Sequence, residues 1–415
     1  MIARAFDPDV DGGMRVDFDR ARELMLAAAE PLPSEMIPLL EAGDRILATV
    51  LRADEDIVPY ARSGMDGFAL RASDSLGADT DGVVLPVAGT LYAGDVPAAL
   101  APGWAMAIAT GAPLPDGADA VVPIECVDDR GDRIVLRAPL LRGDHIFEPG
   151  DDAKRGEILA RPGDPVTAGR AALLAAAGFA EVWVHRRPRV AIVCTGDEVV
   201  AVDEKPGPGK IRNSNAAMLA VALARDGAQV VMSSHAGDAP APLAAMLRRA
   251  MECGDLVITT GGASVGERDF VKNTFVALGA RFAFRSLALR PAKPTAFGRR
   301  GSTLVAVLPG NPAAAFVAYA ALVRGLVRKL GGRSDPYPRQ VLATLDGSIR
   351  AKPERHYVMF GRLTNDGRSF SVTPLANQCS SLVRTAADAN ALIVVPPGNA
   401  LLLSGSIVSV ERVDA

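Results

Sequence analysis

Long apolar runs are missing from this chain. A membrane-spanning helix needs about 18 or more consecutive apolar residues. The nearest approach, residues 171–184, is interrupted by Gly178 and Glu181, so no membrane span is expected. The opening MIARAFDPDVDGG holds no apolar core of the kind a secretory signal carries, so none is expected. Cysteine and histidine are scarce, and Cys126, Cys194, Cys253 and Cys379 lie too far apart to form a CxxC pair. That spacing argues against a disulfide framework or a cysteine/histidine zinc centre and fits a reducing cytoplasm. One-sided charge is missing too. A formal net charge of −3 without a block of like charge gives no electrostatic case for nucleic acid. What remains is an ordinary globular composition, 49% hydrophobic and 22% charged. The 415 residues suffice for roughly two to four domains with cores of their own.

Hydrophobic spacing divides the chain. Residues 19–29 predict a helix and residues 31–42 a second, interrupted one. From residue 46 to 135, short apolar runs such as Ile46-Leu-Ala-Thr-Val-Leu and Ala120-Val-Val-Pro-Ile alternate with Gly, Pro and Asp turns, an all-β texture. Residues 168–177 predict a helix closed by Gly178. An economical arrangement inserts a β module, 46–149, into an α/β stalk made of 15–45 and 150–186. From Arg189 onward the rhythm is strand, loop, helix. Strands are expected at 190–194, 229–232, 256–259 and 304–308, and helices at 215–225, 240–253, 270–278 and 312–330. Unbroken β-branched runs separated by helices predict a parallel sheet covered on both faces, over 187–332. Gly331-Gly-Arg-Ser-Asp-Pro reads as a linker. Turns at Asp346-Gly, Asp366-Gly, Pro397-Gly and Ser404-Gly mark a small β domain at 333–415. The expected fold class is multidomain, α/β plus all-β modules.

In an open α/β sheet, ligands bind beyond the carboxyl ends of the strands. Three unusual loops follow strands here: Thr195-Gly-Asp-Glu, Thr260-Gly-Gly-Ala-Ser-Val-Gly-Glu-Arg-Asp and Leu308-Pro-Gly-Asn-Pro. Gly261, Gly262 and Gly266 let the backbone approach an anion, and the following helix N-terminus adds partial positive charge. Ser264 can donate to a phosphate oxygen. Glu267 and Asp269 would repel a bare phosphate, so a cation between them resolves the conflict, and oxygen-only ligands point to Mg²⁺. The plain alternative is that these acids favour a helix start. Asp197 and Glu198 bring more carboxylates to the same edge. Asp238 could join them or cap the helix at Pro240, and Asn311 could cap the helix at Pro312. Pro309 and Pro312 around Gly310-Asn311 stiffen that loop. Arg290-Pro-Ala-Lys293-Pro holds two cations on a stiff chain, suited to a tetrahedral oxyanion or else to a solvated turn.

The chain resembles the molybdopterin molybdenumtransferase family, to which the E domain of gephyrin belongs. The resemblance runs from about Asp19 to Val413. It rests on Leu40-Glu-Ala-Gly-Asp-Arg-Ile-Leu-Ala, Ser63-Gly-Met-Asp-Gly-Phe-Ala-Leu, Ile108-Ala-Thr-Gly-Ala-Pro-Leu-Pro-Asp-Gly-Ala-Asp-Ala-Val-Val, Arg187-Pro-Arg-Val-Ala-Ile-Val-Cys-Thr-Gly-Asp-Glu and the two later loops above. It implies a stalk, an inserted β domain, a molybdopterin-binding α/β domain and a C-terminal β-barrel-like domain. It also implies a homodimer whose cleft joins the α/β domain of one chain to the insert of the other. The implied reaction joins molybdate to adenylylated molybdopterin and releases AMP with Mg²⁺. In that pattern Glu198, Asp238 and Asp269 match metal positions, and Asp66 and Asp152 match acidic positions of the cleft. Thr110, Thr195, Gly196 and Asp197 line it. Arg290, Lys293, Ser380 and Ser381, with Arg355, resemble the molybdate pocket. A molybdopterin adenylyltransferase and apo-molybdoenzymes are the implied further partners.

The departures gather at that pocket. The family's usual Lys-Pro-Gly-Lys-Pro reads Arg290-Pro-Ala-Lys-Pro here, a frequent serine is replaced by Ala314, and Gln-Gly-Ser-Gly reads Gln378-Cys379-Ser-Ser. Arg keeps the charge of Lys but not its shape. Two other readings therefore stand beside the enzyme: a molybdopterin adenylyltransferase, whose fold resembles the domain from Arg189 to Leu330, and a non-catalytic carrier or scaffold.

Overall fold

Alternate residues of the central strands are buried on opposite faces of one sheet, which is why those strands read as unbroken apolar runs. The computed structural model describes residues 15–262 and 270–413. In it Val190, Ile192 and Cys194 enter one core while Ala191 and Val193 enter another. Leu256 and Ile258 alternate with Val257 in the same way, and Leu304, Ala306 and Leu308 with Val305 and Val307.

The elements run β1 (Arg189–Thr195), α1 (Ser214–Arg225), β2 (Gln229–Ala236), α2 (Pro240–Cys253), β3 (Leu256–Thr260), α3 (Phe270–Ala277), β4 (Arg281–Phe284), β5 (Ala296–Arg300), β6 (Thr303–Leu308), α4 (Pro312–Ala318) and α5 (Arg324–Leu330). The sheet order is β2-β1-β3-β6-β5-β4. The first four strands are parallel, as expected, but β5 and β4 pair antiparallel at the far edge, so the sheet is mixed. Both extra strands are short and carry terminal arginines, which hides their apolar alternation. The single helix expected over residues 312–330 is α4 and α5 joined by a wider π turn, Tyr319–Val323. Arg22 Nε donates to the Ala321 carbonyl within that turn at 2.7 Å.

The first expected helix is present as Phe18–Ala28, capped by Asp17, whose carboxylate accepts the Arg20 N–H at 2.7 Å. The second, over residues 31–42, is a strand and a short 3₁₀ turn instead. Ser34–Pro38 pairs antiparallel with Glu181–His185, and Leu39–Glu41 follows. Pro31, Pro33 and Pro38 explain the difference: each removes an N–H that a helix interior needs, whereas an edge strand tolerates the loss.

At the C-terminal end, strands Val341–Leu345, His356–Asn365, Phe370–Pro374, Ala391–Val395 and Ile407–Arg412 close into a barrel, because His356–Asn365 pairs with both Phe370–Pro374 and Ala391–Val395. Leu345, Val372, Ile393 and Val410 fill it. Leu289–Arg290 adds in parallel beside His356 and Tyr357. In the loop that follows, Ala292 sits at φ +81°, where an L side chain is strained.

Val50–Arg161 and Ala168–Ala180 form a unit separate from the rest, so the residues expected to build a stalk are divided between two units. Helix Ala168–Ala176 belongs with the insert and runs out at Gly178, which has φ +81°. The insert is built on a six-stranded sheet in which Phe68 and Leu70 face one core and Ala69 the other. Gly67, next to Asp66, packs so closely on the Val122 carbonyl that a Cβ would collide with it.

A buried ionic group ties the α/β domain together. Asp226 accepts from the Tyr319 hydroxyl at 2.6 Å and Arg328 Nε at 2.8 Å, and lies 3.4 Å from Arg324 Nε. Burial and the Asp226 charge push the Tyr319 hydroxyl well above its ordinary pKa, so it remains a donor. Asp226→Ala leaves the Arg324 guanidinium, with its side chain 6% exposed, without its counter-charge. The expected cost is about 3–5 kcal/mol, read as a lower urea midpoint. Ala292→Gly works the other way. Relief of the left-handed strain outweighs the added freedom of the unfolded chain, and the expected gain is about 0.5–1 kcal/mol on the same measurement.

Candidate functional site at the carboxyl edge of the central sheet

Parallel register brings the three expected loops together. Cys194 is level with Thr260, and Thr260 with Leu308, so β1, β3 and β6 end at one line. The loops then touch. A Cβ on Gly261 would strike the Thr195 carbonyl oxygen, and one on Gly310 would lie 3.3 Å from Gly261 Cα. Gly261 and Gly262 have φ of +92° and +59°. Glycine is thus required there by both backbone angle and contact.

The loops wall a cavity of about 820 Å³, within the range of small-molecule sites. Thr195, Gly196, Glu198, Asp238, Gly261, Gly262, Pro309, Gly310, Asn311 and Pro312 line it, together with Ser381, which the resemblance groups with Arg290 and Lys293 instead. Asp197 does not line the cavity. Its Oδ1 accepts the Asp238 N–H at 3.1 Å and so positions that residue. Ser264, Gly266, Glu267 and Asp269 lie outside the described residues.

Two capping expectations are corrected. The N-cap of α2 is Ala239, without a side-chain bond, so the Asp238 carboxylate is not used as a cap. Pro240 has no N–H to satisfy, and Asp238 stands one residue too early. Asn311 does occupy the N-cap of α4, but its side chain makes no capping bond. The Ser380 carbonyl does the capping instead, accepting the Ala313 and Ala314 N–H groups at 3.0 and 3.3 Å.

Asn213, Ser214 and Asn215 also line the cavity, and the sequence reading missed them. Asn213 caps α1 by accepting the Ala216 N–H at 3.0 Å. Asn215, 8% exposed, donates from Nδ2 to the Gly310 carbonyl at 2.8 Å, while its Oδ1 is buried without a described partner. The signal was present: Arg212-Asn-Ser-Asn is a polar run immediately before an apolar helix.

The chemistry on offer is acidic and oxygen-based. Glu198 and Asp238 are exposed carboxylates on the wall, of the donor type that suits Mg²⁺. Among the described residues no group of three or more His, Cys, Asp or Glu converges on one point. The third expected ligand, Asp269, is not among them. Cys194 also lines the cavity, but burial pushes its thiol pKa up, so it stays protonated and unreactive.

In the inserted unit, Asp66 and Thr110 are brought together. Asp66 Oδ1 accepts the Thr110 N–H at 2.7 Å and the Thr110 hydroxyl at 2.8 Å. These two bonds, the backbone one first, hold the carboxyl below its ordinary pKa. Asp152 instead faces Arg62, with 3.5 Å between Oδ2 and the guanidinium.

The expected oxyanion residues separate. Arg290 lines a second cavity, of about 340 Å³, together with Arg350, Lys352, Tyr357 and Gln378. Lys293 and Arg355 line neither this cavity nor the larger one. Arg355 does carry a buried Nε without a described hydrogen-bond partner.

Comparison with known proteins covers most of the chain. Family models described as "MoeA N-terminal region (domain I and II)", "Probable molybdopterin binding domain" and "MoeA C-terminal region (domain IV)" match residues 16–178, 191–329 and 343–413. Molybdopterin molybdenumtransferase 2 of Mycobacterium tuberculosis is 35% identical over 379 residues, which cover 90% of this chain and 92% of that protein. Molybdopterin molybdenumtransferase of Bacillus subtilis is 35% identical over 384 residues, covering 91% and 89%. A crystal structure of the molybdopterin biosynthesis moeA protein from Pyrococcus horikoshii superposes with a TM-score of 0.84 at 26% identity, covering 96% of this chain and all of that one. The chain belongs to the molybdopterin molybdenumtransferase family.

Proposed function

We propose that this enzyme acts in molybdenum cofactor biosynthesis, inserting molybdenum from molybdate into adenylylated molybdopterin with release of AMP. The observation that carries this reading is the cavity at the carboxyl edge of the sheet, where glycine backbone and two carboxylates share one wall. The family membership of the chain supports it.

The residues divide the work. Gly261 and Gly262 present backbone without side chains, so a phosphate group can approach closely. Pro309, Gly310, Asn311 and Pro312 form a stiff wall, anchored by Asn215 through the Gly310 carbonyl. Glu198, Asp238 and Asp269 would hold Mg²⁺, which supplies neutralisation of the phosphoanhydride charge when bound. Asp197 fixes Asp238 through its N–H. Thr195 spaces the loops. Its carbonyl packs on Gly261, and its hydroxyl lies 3.4 Å from the Thr260 carbonyl. Asp66 stays ionised through Thr110 and positions substrate or takes up a proton, and Asp152 supports the acidic side of the cleft. Of the residues expected around molybdate, Arg290 lines a cavity with further cations, and it is the one assigned to receive the oxyanion. Arg350 and Lys352 beside Arg290 add cations for that oxyanion. In this function the enzyme is a cytoplasmic homodimer. It receives substrate from a molybdopterin adenylyltransferase and passes product to apo-molybdoenzymes.

AMP release from adenylylated molybdopterin tests the proposal. Release should require molybdate and Mg²⁺, and Asp238→Asn, Glu198→Gln and Asp269→Ala should each slow it by about 100-fold. Tight binding with no release by the parent protein under any condition would leave a carrier role in its place.

A second expectation concerns Asp66. Its folded pKa is depressed, so its contribution to stability is present above the unfolded pKa and is lost as pH falls through the folded one. Thr110→Val keeps the larger, backbone bond and removes the hydroxyl. NMR titration should show Asp66 protonating at higher pH than in the parent protein, yet below an ordinary aspartate.

A further inference from the structure

At the opposite, amino edge of the same sheet lies another cavity, of about 500 Å³. Its walls come from the residues before β1, the turn between α1 and β2, the end of α5 and the segment around Arg45. Six arginines line it against two aspartates. One of those aspartates, Asp226, is already engaged by Tyr319 and Arg328.

Several of the arginines have structural work. Arg186 makes two 2.7 Å bonds to the Asp255 carboxylate, Arg45 pairs with Glu35, and Arg225 donates to the Val413 carbonyl at 3.3 Å. Arg225 and Arg328 also sit in the last turns of their helices, where a cation complements the dipole. Arg187 and Arg333 are different. Neither belongs to a helix, and neither side chain has a described hydrogen bond or ion pair. Arg333 is half-buried, and desolvation together with Arg328 pulls its pKa down. The nearby charges of Asp335, Asp226 and Asp44 offset that burial only in part, so a further anion would be favourable there. The cavity offers no Phe, Tyr or Trp for a base to stack on.

We propose that this cavity is a second ligand site that binds a compact polyanion bearing at least two phosphate groups, with Arg187 and Arg333 as its principal contacts. It stands at the opposite edge of the sheet from the candidate catalytic cavity and does not depend on the reaction assigned there.

Calorimetric titration of the intact protein with inorganic pyrophosphate, in Mg²⁺-free buffer, tests the proposal. Binding is expected, and Arg333→Ala should weaken it about tenfold or more, the loss of one charge-assisted contact. Arg187→Gln, at an exposed position, should weaken it as well, and serves if Arg333→Ala fails to fold. Asp238→Asn should leave the affinity unchanged, which separates this site from the catalytic cavity. Absence of binding, or binding that both arginine variants retain, would overturn the proposal. So would a polyglutamate peptide that binds through Arg187 and Arg333 where pyrophosphate does not, since the site would then be one for an acidic protein segment.

Discussion

Level parallel pairing of β1, β3 and β6 is the constraint on which the site depends. Three segments spread along the sequence from Cys194 to Leu308 become one wall because Cys194, Thr260 and Leu308 share a register. A shift by one residue would turn every side chain of a strand to the other face. Here both faces are buried, in two separate cores that select different sizes: Ile192 and Leu256 on one side, Ala191 and Val257 on the other. The register is therefore held by packing, and the loops inherit their alignment from it.

That alignment leaves little room at the loop bases. Gly261 lies against Thr195, and Gly310 against Gly261, so the glycines are as much spacers between loops as a surface for a ligand. The amides at the start of α4 show a similar division. A free helix N-terminus attracts anions, but two of these N–H groups are taken by the Ser380 carbonyl. The segment that follows the C-terminal barrel strand Phe370–Pro374 therefore closes this end of the cavity by capping a helix and brings Ser381 onto the wall. The residues expected around molybdate consequently do different jobs: one serves through its backbone, one lines the large cavity, and Arg290 lines a smaller one with Arg350 and Lys352.

Much of this was legible in the sequence, for identifiable reasons. β1, β3 and β6 were visible because burial on both faces leaves no polar interruption, whereas β2, half-exposed, runs on through Ser233-Ser-His to Ala236, beyond its expected end at residue 232. The glycine and proline loops were visible because few other residues can follow a strand in that way. Other features were hidden. β4 and β5 are short, the first beginning and the second ending in arginine, so their pattern resembles a loop. The strand Ser34–Pro38 hides behind apolar spacing that only its prolines contradict. The π turn after α4 is bonded by Arg22, whose contact lies 299 positions away in sequence. Asn215 looked like part of a helix start, yet its amide holds the Gly310 carbonyl. The pairing of Asp152 with Arg62 likewise arises only when distant segments fold together.

The small net charge conceals a separation between the two edges of the sheet. Carboxylates gather where the strands end and helices begin, and arginines gather where helices end and strands begin. Helix dipoles favour this polarity, since acids are stabilised near helix N-termini and cations near C-termini. The dipole accounts for Arg225 and Arg328, which sit in last turns. It does not account for Arg187 or Arg333, which lie off the helices and concentrate the field in one cavity. Nor does it account for Glu198, which follows a strand and precedes α1 by a long loop. Dipole stabilisation thus sets the sign at each edge, while the residues that exceed its reach mark where each edge is shaped to meet a ligand.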